Sequence, residues 1–109
     1  MTVKDVAQEL GAEIICEGNN VSRHVNGCYI GDLLSCVMSK SIQDNIWITI
    51  MSNVNVVAVA TLTDVSCVLM CENTSPDDEC LKAAINQGIT LLKTKLPAYD
   101  AALKLSKIL

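Results

Sequence analysis

The sequence predicts an α/β domain of three layers, α/β/α, around a mostly parallel sheet of four to five strands. Three observations predict it. The runs Ile46-Trp47-Ile48-Thr49-Ile50 and Ser66-Cys67-Val68-Leu69-Met70-Cys71 are almost continuously apolar, the pattern of strands covered on both faces. They alternate with segments of helical periodicity, which marks a parallel sheet joined by crossover helices. Half of the residues are hydrophobic but only 3% are aromatic, so the core must be aliphatic, built from Ile, Val, Leu, Ala, Met and Cys.

Thr2, with Asp5 three residues on, reads as a capping box for a helix to Leu10, with Val3, Val6, Ala7 and Leu10 on one face. Gly11 stands where the helix end needs a left-handed residue. Ala12 to Cys16 reads as a short strand and Glu17-Gly18-Asn19-Asn20 as a turn. Val25 to Ile30 reads as the next strand. Asp32 follows as N-cap of a helix carrying Leu33, Leu34, Val37 and Met38 inward. Ser41 to Asn45 is a return loop and Ile46 to Ile50 the central strand. Ser52 or Asn53 caps a Val-rich segment through Leu62. Its helix propensity is poor, and a strand is the alternative. The need for a crossover between two buried strands selects the helix.

Ser75-Pro76-Asp77-Asp78-Glu79 reads as a helix start, with a Ser cap, Pro in first position and three acids facing the dipole. Cys80, Leu81, Ala84 and Ile85 form its inner face, and Gly88 ends it. Ile89 to Leu92 is a last short strand. Pro97 opens a final helix with Tyr99, Ala102, Leu103 and Ile108 inward.

The length of 109 residues is that of a single domain, 1–109. Eight Lys/Arg against twelve Asp/Glu, with three aromatic residues, give neither a basic footprint nor stacking platforms, so no nucleic-acid partner is expected. The most apolar stretch, Ile46 to Leu62, is interrupted by Ser52, Asn53 and Asn55, which argues against a membrane span. Residues 1–10 lack the apolar core of a signal peptide, so a cytoplasmic location and free thiols are expected. The six cysteines contain no C-x-x-C spacing. Cys67 and Cys71, four apart on a strand, would lie about 13 Å apart, too far for one zinc ion. Most cysteines are therefore expected as buried small hydrophobes, with no metal and no cofactor.

Ligands of open parallel sheets bind beyond the carboxyl ends of the strands. Three segments are expected to meet there: Gly27 to Ser35, Met51 to Asn55, and Glu72 to Ser75. Each leads into a helix whose free backbone N–H groups suit an anion. The candidate ligand-binding residues are Arg23, Tyr29, Gly31, Asp32, Ser52, Asn53 and Asn55. Asn53 and Asn55 flank Val54 in an apolar stretch, where unpaired amides are costly, so they either cap the helix or bind a ligand or partner. Asp32 either caps a helix or holds a ribose hydroxyl or magnesium ion. Arg23 either reaches a phosphate or sits solvated in its loop. Cys36, near the same edge, is either a packed thiol or a reactive one. His24 has no acid or nucleophile beside it in sequence. No P-loop, G-x-G-x-x-G, H-E-x-x-H or G-x-S-x-G occurs, and no catalytic residue is assigned.

Gly27-Cys28-Tyr29-Ile30-Gly31-Asp32-Leu33-Leu34-Ser35, Trp47-Ile48-Thr49-Ile50-Met51, Asn53-Val54-Asn55-Val56-Val57-Ala58-Val59-Ala60 and Leu96-Pro97-Ala98-Tyr99 together resemble stand-alone DRTGG domains over nearly the full chain. The family's name string is absent; Ser22-Arg23-His24-Val25-Asn26-Gly27-Cys28 stands nearest, and Arg23 and Gly27 fit it. The resemblance implies a fold similar to the N-terminal domain of HPr kinase/phosphorylase. It also implies a bacterial, regulatory or ligand-sensing part, since larger members carry CBS or phosphotransacetylase domains. The expected function is a non-catalytic regulatory module that binds a small anionic ligand, such as a nucleotide, and acts as a homodimer. The alternative is an interaction subunit that docks on a partner enzyme without a ligand.

Overall fold

The computed structural model describes residues 1–109. Its elements are α1 (Val3–Leu10), β1 (Glu13–Cys16), β2 (Cys28–Ile30), α2 (Leu34–Lys40), β3 (Ile46–Thr49), α3 (Val54–Thr63), β4 (Cys67–Met70), α4 (Asp78–Gln87), β5 (Leu91–Lys93) and α5 (Ala98–Leu105). They build the expected three layers. The five-stranded sheet has the order β1-β5-β4-β3-β2. β2 through β5 are parallel neighbours, whereas β1 runs antiparallel to β5.

The layers follow from alternation along the strands. Ile46, Ile48, Cys67, Leu69 and Leu92 face α1 and α5, joining Val3, Val6, Leu10, Ala101 and Leu105. Trp47, Val68, Met70 and Leu91 face the other way, onto α2, α3 and α4 through Val37, Val56, Val57, Ala60, Cys80 and Ala84. Every residue of β3 and β4 is buried, as the two apolar runs predicted.

The helix ends show which signals were decisive. The capping box forms as expected: Asp5 N donates to Thr2 Oγ1 at 3.2 Å and Thr2 N donates to Asp5 Oδ2 at 3.1 Å. Asn53 caps α3, accepting from Asn55 N at 2.9 Å, and the Val-rich segment is helical. Two expected caps are displaced. α2 starts after Leu33 with no side-chain cap, because the Asp32 carboxylate is engaged at the end of β3 instead. α4 is capped by Asp77 rather than Ser75: Asp77 Oδ1 accepts from Cys80 N at 2.8 Å, while Ser75 Oγ accepts from Lys93 Nζ.

Other expectations are corrected by packing. Leu33, Met38, Ile85, Tyr99 and Leu103 point outward, and Ala101 and Leu105 rather than Tyr99 and Leu103 face the sheet in α5. The strand expected from Val25 begins only at Cys28, since Asn26 N donates to Asp44 O in a turn. β1 is antiparallel because α1 and Gly11 return the chain along the outer side of β5, a pairing that no local pattern encodes.

From β1 the chain crosses the amino ends of the parallel strands to reach β2. This strap is fastened by Asn19 N to Gly88 O and by Thr90 Oγ1 to Glu17 O at 2.7 Å. Gly18, at φ +65°, passes so close that a Cβ would stand 2.6 Å from Thr90 Oγ1. Trp47, fully buried in β3, donates Nε1–H to Gly31 O at 2.9 Å and so holds the β2–α2 turn. Replacing Trp47 by Phe removes that donor and leaves a void; we expect a loss of about 2–3 kcal/mol in urea unfolding, with faster hydrogen exchange around Gly31.

Candidate functional site

The carboxyl ends of β2, β3 and β4 meet the start of α5 in a small cavity of about 110 Å³ lined by Ile30, Asp32, Ile48, Thr49, Ile50, Cys71, Glu72 and Ala98. Asp32 organises it. Its Oδ1 accepts from Thr49 Oγ1 at 2.7 Å and from Ile50 N at 2.9 Å, and Thr49 Oγ1 in turn accepts from Met51 N at 3.1 Å. The loops after β2 and β3 are thereby tied together. Asp32 Oδ2 has no partner within the chain and is an available acceptor. Glu72, at φ +54°, brings a second carboxylate to the rim, where Glu72 N donates to Leu96 O. Two of the three segments expected at this edge therefore meet in one cavity.

The third segment stands beside it, at the start of α3. Ser52 O accepts from Asp77 N at 3.0 Å, joining the β3–α3 loop to the start of α4. The Asn53 acceptor is used on the cap, while its amide nitrogen is unengaged, and the exposed Asn55 side chain makes no hydrogen bond within the chain. Tyr29 lies half-buried in the layer under α2, and its ring covers Gly31, where an added Cβ would meet it at 3.0 Å. These six candidates thus share the carboxyl edge or the turn leading to it.

Arg23 does not join them. Its guanidinium lies at the opposite edge, 2.7 Å from Asp44 and 3.0 Å from Asp64, the residues that precede β3 and β4. Arg23 Nη2 also donates to Asp64 O at 2.6 Å. Those hydrogen bonds and charges outweigh partial desolvation and hold its pKa above the ordinary arginine value. The sequence reading missed this edge. It holds a polar cavity of about 170 Å³, lined among others by Asn19, Asn20, Arg23, Asp64, Ser66 and Gln87. The signal was the spacing of Arg23, Asp44 and Asp64, which only topology converts into proximity. His24 belongs to the same end, where it bridges to Thr2.

Cys16, Cys67, Cys71 and Cys80 are buried, Cys36 is intermediate and Cys28 is exposed; all six are free. Burial pushes the Cys67 thiol up to about 12 and the Cys80 thiol up to about 11. Cys28 retains exposed surface, yet desolvation of its thiol also raises it to about 11. The neutral thiol is thus the favoured form in the fold. This contribution is complete below the ordinary thiol pKa of about 8.5 and is lost as pH rises through 11 to 12. We expect Cys67, Cys71 and Cys80 to react with a thiol reagent at pH 8 only after unfolding, and stability to decline above about pH 9. In the same unfolding assay Asp32→Ala, which frees Thr49 and Ile50 N, is expected to cost about 1–3 kcal/mol.

The chain matches the family described as the DRTGG domain over residues 5–108. Its structure is similar to the crystal structure of the CBS and DRTGG domains of the regulatory region of Clostridium perfringens pyrophosphatase, complexed with the activator diadenosine tetraphosphate. The TM-score is 0.73 at 14% identity, covering 95% of this chain and 45% of that one, so the chain spans less than half the length of that structure. A search of the curated proteins finds no match. With its family match running over almost every residue, the chain belongs to the DRTGG domain family.

Proposed function

We propose that this domain is a non-catalytic regulatory module that binds a nucleotide at its carboxyl edge. The observation that carries the reading is the fold shared with a regulatory region whose structure holds a dinucleotide activator. The edge supplies fitting chemistry. The unengaged amides of Asn53 and Asn55, with Ser52, stand at the positive end of the ten-residue helix α3 and suit phosphate oxygens. The free oxygen of Asp32 suits a ribose hydroxyl, and Tyr29 with Gly31 shapes the adjoining turn. Arg23 serves the opposite edge, where it ties two loops. A homodimer and a cytoplasmic setting belong to the same reading, as does kinship with the N-terminal domain of HPr kinase/phosphorylase. No helix is long and apolar enough to cross a membrane.

One observation favours a second reading, docking on a partner enzyme without a ligand. α3 contains no charged residue, and its outer positions Val54, Ala58 and Leu62 are exposed. A nucleotide screen separates the two. Diadenosine tetraphosphate and adenine or guanine nucleotides at about 100 times Kd should add about 2.7 kcal/mol, or about 10 °C or more in Tm. Asn55→Ala should leave the unliganded Tm unchanged and remove most of the shift. Asn53→Asp keeps the cap but repels phosphate, so binding should weaken about tenfold or more without loss of stability. Absence of any shift at millimolar nucleotide would overturn the nucleotide reading.

A further inference from the structure

We propose that the chain dimerises through the open edge of β2, two copies pairing antiparallel across a two-fold axis at Tyr29 to form a continuous ten-stranded sheet. The proposal deepens the homodimer reading above by naming its interface. β2 ends the sheet, and its register with β3 fixes which backbone groups face outward. Ile46 N donates to Gly27 O at 3.0 Å and Gly31 N donates to Ile48 O at 3.1 Å. In a parallel ladder this commits the N–H and C=O of Tyr29 to β3, and turns those of Cys28 and Ile30 outward.

Outward groups at two positions flanking one residue are self-complementary. With Tyr29 opposite its own copy, Cys28 of each chain faces Ile30 of the other, and the two pairs exchange four N–H···O=C bonds. The sequence around Tyr29 fits this symmetry. Gly27-Cys28-Tyr29-Ile30-Gly31 sets two apolar residues against each other on either side of Tyr29 and leaves a glycine at each end of the short strand, where no side chain obstructs the approach.

The flanks also fit a second copy. A mainly apolar groove of about 250 Å³ runs between β2 and α5, lined by Cys28, Ile30, Ala102, Leu105 and Leu109 together with Gly27 and Ser106. In the two-fold arrangement the partner's Ile30, 48% exposed in the single chain, enters beside Cys28 on this side of the sheet. The opposite edge shows the contrast. β1 carries Glu13 and an irregularity between Ile14 and Cys16, devices that discourage pairing. The β2 strand Cys28–Ile30 carries no charge, no proline and no shift of register against β3.

The test is sedimentation equilibrium of the full chain beside two edge variants. Cys28→Pro deletes an outward N–H without touching the β2–β3 ladder, a position where an edge strand accepts proline. Ile30→Lys places a charge in the groove. Both should retain the native circular dichroism and weaken dimerisation at least tenfold. Should either fold poorly, Tyr29→Cys in a Cys28→Ser background gives an independent measure. Directly opposed residues of this kind lie about 4.5 Å apart, and mild oxidation should yield a disulfide joining residue 29 of both chains. A wild-type chain that stays monomeric overturns both the dimer reading and this interface. A dimer that persists in both variants, or that gives no 29–29 cross-link, overturns the interface alone.

Discussion

β3 and β4 lie at the centre of the sheet, and all eight of their residues are buried. Buried strands of this kind carry no polar face to turn to water, so helices must cover both sides. Trp47 and Val68 demand one layer, and Ile46, Ile48, Cys67 and Leu69 demand the other. α2, α3 and α4 supply the first as crossovers, and α1 with α5 the second from the two ends of the chain. The placement of every loop follows from this double cover. Loops can emerge only at the two edges of the sheet, where the strands begin and where they stop.

The two edges are finished differently. The amino edge is crossed by the strap from Glu17 to Gly27 and clamped by Arg23 on Asp44 and Asp64. The carboxyl edge is held from beneath, by Trp47 on Gly31 and by Asp32 on Thr49 and Ile50. Its helix-leading loops therefore sit on fixed supports and retain unused polar atoms. The parallel strands also run in simple succession from β2 to β5, with every crossover helix in one layer. Without a reversal of strand order among them there is no deep crevice, and the cavity at this edge stays small. A ligand here would lie across the loops. That suits an extended phosphate chain better than a compact enclosed substrate.

Much of the fold was legible because it rests on local chemistry. The Thr2–Asp5 box, the Asn53 cap, Gly11 and Gly88 as left-handed ends, and the two apolar strands are short-range signals, and all are realised. The misread features are those where a side chain had a stronger partner far away. Asp32 looks like a cap, yet Thr49 and Ile50, seventeen and eighteen residues on, capture its carboxylate. Ser75 looks like a cap, yet Lys93 reaches it and Asp77 caps instead. Arg23 looks like a free cation, and only the strap across the strand starts delivers it to two carboxylates. The antiparallel β1 and the outward turn of Ile85 and Tyr99 likewise follow from the packing of whole layers rather than from any local run.

The candidate site was legible as a place rather than as a set. The rule of strand ends brought most of the candidate residues to one edge, and chain order alone could not tell that Arg23 stands at the opposite end of the strands from Asn53. The proposed ligand surface is the carboxyl edge, while the strap edge serves as a structural clamp. Backbone amide chemical shifts followed during titration with diadenosine tetraphosphate test that division most directly. The account predicts that the largest changes fall on Asp32, Ser52, Asn53, Val54 and Asn55. Changes centred on Asn19, Arg23 and Gly88, or none at saturating nucleotide, would contradict it.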